Sequence, residues 1–448
     1  MTQIHARRLP RHTGRAAWNA ILPEAPPPVA LTEDRTADVT IVGAGFAGLS
    51  AARRLHQIDP GLKIAVLDAG RVGEGAAGRN SGFMIDLPHD LQSDDYAGHA
   101  ADNDRIMTGF NRAAIAFAAQ AVADYGIAPA YFDPVGKVNG AAGDGAHAQN
   151  LSYARHLEAL GEPCEMLDAQ AMQELTGSSY YQSGLYTPGT AILQPAGYIR
   201  GLATGLAAGG VAICEESPVT DMSRNGSDWT VIAKGHSLTS GCVILCTNGH
   251  LESFGFAKKR LLHVMLFASM TEDLSPEALT ALGGRPRWGI TPSDPMGTTM
   301  RRIDTAQGGN RIITRSCTEF RPGMEPSRAG LARATRVMAR KFADRFPQLS
   351  GVKQQYIWAG HLCLSLNGVS VTGRLEDGLF SACVQNGLGT ARGTLTGIAA
   401  AEAALGHHSD ISAHFTSEPA PKRLPPEPFA TLGANMVLRL REHRARIE

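Results

Sequence analysis

The 448-residue chain has no run of eighteen apolar residues, which excludes a membrane-spanning helix. It has no net charge either: Lys and Arg number 42, and so do Asp and Glu. A balanced chain gives nucleic acid or an anionic membrane little electrostatic reason to bind. Cysteine is scarce, at seven, and no two are spaced Cys-x-x-Cys. The odd count in apolar, strand-like surroundings reads as reduced, buried thiols, and a redox-cysteine enzyme is disfavoured. Arg7, Arg8, Arg11 and Arg15 are followed by Pro10 and polar residues rather than an apolar stretch. No secretory signal is therefore expected, and the chain reads as cytoplasmic. Repeats, Ser–His–Asp spacing and metal-ligand spacing are missing too, so no metal is expected.

What the chain has is glycine, fifty of them, concentrated in a few loops. Asp38-Val39-Thr40-Ile41-Val42 is a β-branched run followed by Gly43-Ala44-Gly45-Phe46-Ala47-Gly48 and a helical stretch from Leu49 to Leu55. Lys63 to Leu67 reads as the next strand and ends on Asp68, twenty positions after Gly48. An adenine dinucleotide needs this order. Gly43 allows the tight turn, Gly45 lets backbone approach a pyrophosphate, and Gly48 lets helix and strand pack closely. The helix N-terminus offsets phosphate charge, and Asp68 can accept from ribose hydroxyls.

Three further elements separate FAD from a nicotinamide. Gly73 to Phe83 is a second glycine-rich loop, suited to backbone contact with a phosphate or a flat ring. Cys242 to Cys246 is an apolar strand ending in Thr247-Asn248-Gly249. Gln385-Asn386-Gly387-Leu388-Gly389-Thr390 leads into a helix with a bare face at Gly389, Gly393 and Gly397.

On these residues, together with Gly184-Leu185-Tyr186, Gln194 to Tyr198, Ser217-Pro218-Val219 and Ile357-Trp358-Ala359-Gly360, the chain resembles the D-amino-acid oxidase and glycine oxidase superfamily. The resemblance is closest to the branch with gamma-glutamylputrescine oxidase and runs from about Trp18 to Gly406. It departs at Asp68 (usually Glu), Ala77 (commonly Ser), Ser81 (commonly Gly) and Ser370 (frequently Pro). It implies FAD, held without a covalent bond. Phe46, Ala47 and Ala69 would join the first glycines and Asp68. Gly75, Ala77, Arg79, Asn80 and Ser81 would meet the flavin side, and Val219 the adenine. Thr247, Asn248, Gly249, Gly387, Leu388, Gly389 and Thr390 would complete the site, with the C-terminal helix start facing the ring.

The implied fold is α/β: a Rossmann-like FAD-binding domain interleaved with a substrate domain on a mostly antiparallel sheet with flanking helices. Residues 1–36 read as an N-terminal arm; 37–95, 180–258 and 356–448 as FAD-binding; 96–179 and 259–355 as substrate domain. The implied reaction oxidises a primary or secondary amine (an amino acid, N-alkyl amino acid or acylated polyamine) to an imine. A hydride passes to flavin N5, hydrolysis follows, and oxygen takes the electrons. The alternatives are a dehydrogenase serving a carrier, an NAD(P)H-dependent hydroxylase, and a flavin-binding protein without catalysis.

Substrate residues are fewer. Strand alternation sends Arg301 and Arg302 to opposite faces, so one alone can meet a carboxylate over the flavin, and Arg302 is the choice. His361 is a candidate to deprotonate or orient an amine, or else a structural histidine. Asp86, His89 and Asp90 read as a solvated turn or as a site for a cationic tail. Cys363 lies where sarcosine-oxidase relatives attach flavin, yet reads as a buried thiol. No lysine occurs between Arg260 and Arg340, the region where those relatives use one to activate oxygen.

Overall fold

The computed structural model describes residues 3–88 and 101–448. The β-branched run becomes strand Arg35–Val42, parallel to Ile64–Leu67, with Val39 opposite Ile64 and Val42 opposite Leu67. Ala212–Cys214 extends this sheet on one side. On the other side come His236–Leu245 and then Leu379–Cys383, both parallel. A parallel sheet needs cover on its faces. Helices Phe46–Ile58, Pro195–Ala208 and Ala391–Ala404 supply part of it, burying Leu49, Leu55, Ile199, Leu202 and Leu395 in one core with Ile41 and Val66. The glycine face of Ala391–Ala404 acts as expected. A side chain at Gly397 would run into the Ala47 carbonyl of helix Phe46–Ile58.

The second sheet has eight strands, in the order 354–365, 261–271, 311–320, 299–303, 288–292, 137–141, 183–187, 165–168. All neighbours are antiparallel except 288–292 with 137–141. Helix Arg328–Arg345 packs Met338 against it and Phe342 beside Trp288, the stripe read from the sequence as core. An α/β cofactor sheet and a mostly antiparallel second sheet are the architecture the sequence implies.

Two boundaries differ from the sequence reading. Ser183–Thr187 and Gln354–Ser365, grouped there with the cofactor segments, are strands of the second sheet. Glycine motifs beside them say nothing of which sheet the strand pairs with. Residues Gln3–His5 of the supposed arm add a strand to the cofactor sheet, antiparallel to Val219–Asn225. Among the described residues no helix is long and apolar enough to cross a membrane.

Candidate active site

Between the two sheets lies a cavity of about 700 Å³. Eighteen of the twenty residues that the sequence assigns to the cofactor line it; Gly48 and Gly249 do not. Their roles are internal. A Cβ at Gly48 would run into the Gly43 carbonyl, and one at Gly249 would press on the His361 and His263 rings. Gly43 has φ +109°, and a Cβ there would come 2.6 Å from the Cys246 oxygen. Gly45 differs, because its nearest neighbour would be the Ala77 Cβ at 3.8 Å. The protein needs Gly43 and Gly48 to fold; it leaves room at Gly45 for something else.

That room fits FAD. Gly45 caps helix Phe46–Ile58 without a side-chain acceptor, so the positive helix end opens on the cavity. Asp68 accepts the Ala44 N–H at 2.7 Å and the Gly70 N–H at 2.9 Å, one on each oxygen, leaving further lone pairs for ribose hydroxyls. Burial raises its pKa, against the pull of those two bonds.

The second glycine loop is pinned through three successive carbonyls. Trp358 donates to Arg79 O at 3.1 Å, Trp18 to Asn80 O at 2.9 Å, and Arg301 to Ser81 O at 2.9 Å. The Arg79 guanidinium turns back to Glu74 O at 2.7 Å and Gly14 O at 2.8 Å, tying the N-terminal segment to the cavity wall. Thr390 begins helix Ala391–Ala404 and donates to Phe83 O at 2.6 Å, fastening the C-terminal glycine run to the same loop. Val384 and Asn386 hold φ of 66° and 49°, a left-handed geometry that marks a built turn.

Arg302 is the correction. It donates to Gly283 O and does not line the cavity. Arg301 takes the cavity side and is used up structurally: it donates to Leu193 O at 2.6 Å as well as to Ser81 O, and lies 4.9 Å over the Trp18 ring. Burial pushes its pKa down to about 9. On the neighbouring strand Arg315 also lines the cavity. Alternation correctly put the two arginines on opposite faces but could not show which face meets the cavity, nor that backbone carbonyls occupy the arginine there.

Asp86 is likewise no solvated turn. It is 1% exposed and paired with Arg112 at 3.2 Å. His89 and Asp90 lie outside the described residues. All seven cysteines are free. Cys363 is buried with Leu251, Phe254 and Leu261, and burial holds its thiol well above the usual range.

His361 has company that the sequence hides. Its Nε2 lies 3.1 Å from His263 Nδ1, and His263 Nε2 lies 2.8 Å from Glu252 Oε2. Burial would raise Glu252, but the bond from His263 and the Lys259 N–H outweigh it and hold the carboxyl below its usual range. An ionised Glu252 accepts a hydrogen bond from His263 Nε2–H; His263 Nδ1 then accepts from His361 Nε2–H, leaving His361 Nδ1 as an acceptor. Burial first, then the nearby histidines, hold the His361 pKa well below 6.5, so the ring is neutral. His361 is 98 residues from His263 in sequence, and only the pairing of strands 261–271 and 354–365 brings the two rings together.

A second missed residue is Lys137. No lysine occurs in 260–340, but strand 137–141, which pairs with 288–292, carries one. Its Nζ, fully buried, donates to Asn139 and at 3.3 Å to Thr291 Oγ1, and Thr291 lines the cavity. Burial brings its pKa down to about 7.

The buried histidines make acid stability testable. Burial also brings His250 down to about 4. An unfolded histidine takes its proton near pH 6.5, so the unfolded state binds more protons between about 6.5 and 4. Stability from keeping His250 neutral is complete above that window and lost as pH falls through it, and His361, whose pKa burial also lowers, acts in the same direction. The unfolding midpoint should therefore drop between pH 7 and 5, and less steeply in His250→Asn. Equal slopes for the two proteins would remove His250 from the account.

Fold and cavity together define a dinucleotide-binding flavoprotein. The family profile described as FAD dependent oxidoreductase (DAO) matches residues 38–403, and the chain belongs to that family. FAD is its cofactor, and it is an oxidoreductase. A probable oxidoreductase, OrdL, of Haemophilus influenzae is 28% identical over 398 residues, 85% of this chain and 86% of that protein. Gamma-glutamylputrescine oxidoreductase of Escherichia coli is 25% identical over 415 residues, 90% and 92% of the two chains. Among solved structures, glycine oxidase from Geobacillus kaustophilus superposes with a TM-score of 0.68 at 16% identity, covering 84% of this chain and 96% of that one.

Proposed function

We propose that the protein oxidises a primary or secondary amine at the carbon bearing nitrogen, with oxygen as acceptor, and that the imine product is hydrolysed to a carbonyl compound. Bound FAD supplies the two-electron acceptor; its attachment is non-covalent, since both thiols on the cavity wall, Cys246 and Cys363, are buried and held protonated. The observation that carries the reading is a neutral, anchored His361 on the cavity wall. The reacting form of an amine is the neutral one, whose lone pair stabilises the cation that forms as the C–H bond breaks. A neutral imidazole with Nδ1 as acceptor can take the ammonium proton or hold the N–H in place. Glu252 and His263 fix which nitrogen does so. Strands 261–271 and 354–365 give the site an apolar wall with Val264, Leu266 and Leu362. The names of relatives point the same way, including a gamma-glutamylputrescine oxidoreductase.

Anaerobic mixing with a panel of amines, N-methyl amino acids and acyl-diamines, followed by flavin absorbance, tests this. At least one member should bleach the flavin, and oxygen should restore it within the turnover time. A flavin reduced by NADPH and by no amine would overturn the reading in favour of a hydroxylase. Bleaching by an amine with slow recovery in oxygen would leave amine oxidation standing and make the acceptor a carrier.

A further inference from the structure

Helix Phe429–Arg444 follows the 38–403 family match and is fastened to the rest of the molecule by polar side chains. Strand Arg311–Phe320 pairs with 299–303 only as far as Arg315, so its last residues leave one edge open. Glu442 accepts the Thr318 N–H at 2.6 Å, and Asn435 accepts the Phe320 N–H at 3.0 Å. Arg333 donates to the Thr318 carbonyl at 3.1 Å and pairs with Glu442 at 2.8 Å. Ala430, near the start of the helix, and Ala445, just past its end, are buried. These residues define an inner face, and the face opposite should then be polar.

The outer face is apolar instead. Phe429, Leu432, Met436 and Leu440 are 69%, 66%, 69% and 51% exposed, and exposed His443 completes the row. Successive members lie three, four, four and three residues apart, so the row keeps to one side of the helix and reads the same from either end. Such a row on a surface helix marks a place where another surface sits.

The symmetry says which surface. Two copies of the helix laid antiparallel about a twofold axis at Met436 set Met436 against Met436, Leu432 against Leu440 and Phe429 against His443. The ends match in charge as well. Exposed Glu427, just before the helix, meets exposed Arg444 and Arg446 of the other copy. A parallel pair would set Arg444 against Arg444. An anionic lipid surface would repel Glu427 and would need no symmetry in the row. We propose that this face docks on the same face of a second copy of the chain, antiparallel and centred on Met436, to form a twofold dimer. One helix face is a small interface, so the pair should dissociate in the micromolar range. None of Phe429, Leu432, Met436 and Leu440 lines the cavity, so the dimer can be broken without touching the site.

Sedimentation velocity of the FAD-loaded protein between about 1 and about 100 µM should show monomer giving way to dimer. Met436→Glu sets like charges together on the axis; it should keep its FAD and weaken the dimer about 100-fold. The register is tested separately. Oxidised with copper–phenanthroline, Met436→Cys should crosslink to itself, whereas Leu432→Cys should do so slowly alone and quickly when mixed with Leu440→Cys. A monomer at every concentration overturns the proposal, as does a dimer untouched by Met436→Glu. Crosslinking of Met436→Cys no faster than that of Leu432→Cys also overturns it. Monomers that float with phosphatidylserine vesicles overturn it in favour of a lipid surface.

Discussion

Gly45→Val should purify as a folded, colourless protein. The three glycines of the first turn are not equivalent. A side chain at Gly43 or Gly48 meets backbone oxygens of the protein itself, so those variants should misfold or lose yield. At Gly45 the Cβ points into space with Ala77 as its nearest neighbour at 3.8 Å. A branched side chain there obstructs the pyrophosphate and little else. Circular dichroism should match wild type while acid precipitation releases no FAD. A folded Gly45→Val protein with full FAD content would show that the cofactor does not use this turn. Wild type treated the same way should leave yellow supernatant; a yellow pellet would instead indicate attachment through Cys363.

His361→Gln should slow flavin reduction by about 100-fold at neutral pH, the range of a positioned base. The size of the loss should depend on pH. Where the amine is bound as an ammonium, the acceptor on His361 matters most; above the amine's own ionisation it matters least, so the two rate profiles should converge as pH rises. Glu252→Gln should show a smaller defect of the same shape, about ten-fold, because it loosens the tautomer without removing the acceptor. A loss of equal size at every pH would make His361 a packing residue. Rapid-mixing measurements of flavin reduction across pH decide between these outcomes.

The cofactor half of this protein was legible because it is written locally. Gly43, Gly45, Gly48 and Asp68 lie within one strand–helix–strand unit, where spacing alone fixes their relation. The second loop and the turn before Ala391 are readable for a similar reason, since bare backbone is itself the signal. The residues proposed for the substrate side are not local. Glu252, His263 and His361 come from three elements, and nothing in the sequence near His361 announces the other two. Arg301 and Arg302 are neighbours whose fates were decided by carbonyls of Ser81, Leu193 and Gly283. Lys137 escaped a search confined to the segments between Arg260 and Arg340, because a parallel pairing brings its strand in from elsewhere.

The order of strands in the cofactor sheet sets a schedule for making the protein. Arg35–Val42 and Ile64–Leu67 can pair as soon as the first unit leaves the ribosome. Their neighbour His236–Leu245 arrives only after a further stretch of about 170 residues, and Leu379–Cys383 with the last glycine turn comes later still. Closing such long loops is slow, and until they close the parallel edge stays open to other chains. Both the first turn and the last line the one cavity, so a cofactor seated there as proposed would bind fully only to a nearly finished polypeptide. Starvation for FAD should therefore be felt as aggregation of new chains rather than as a pool of soluble, empty enzyme.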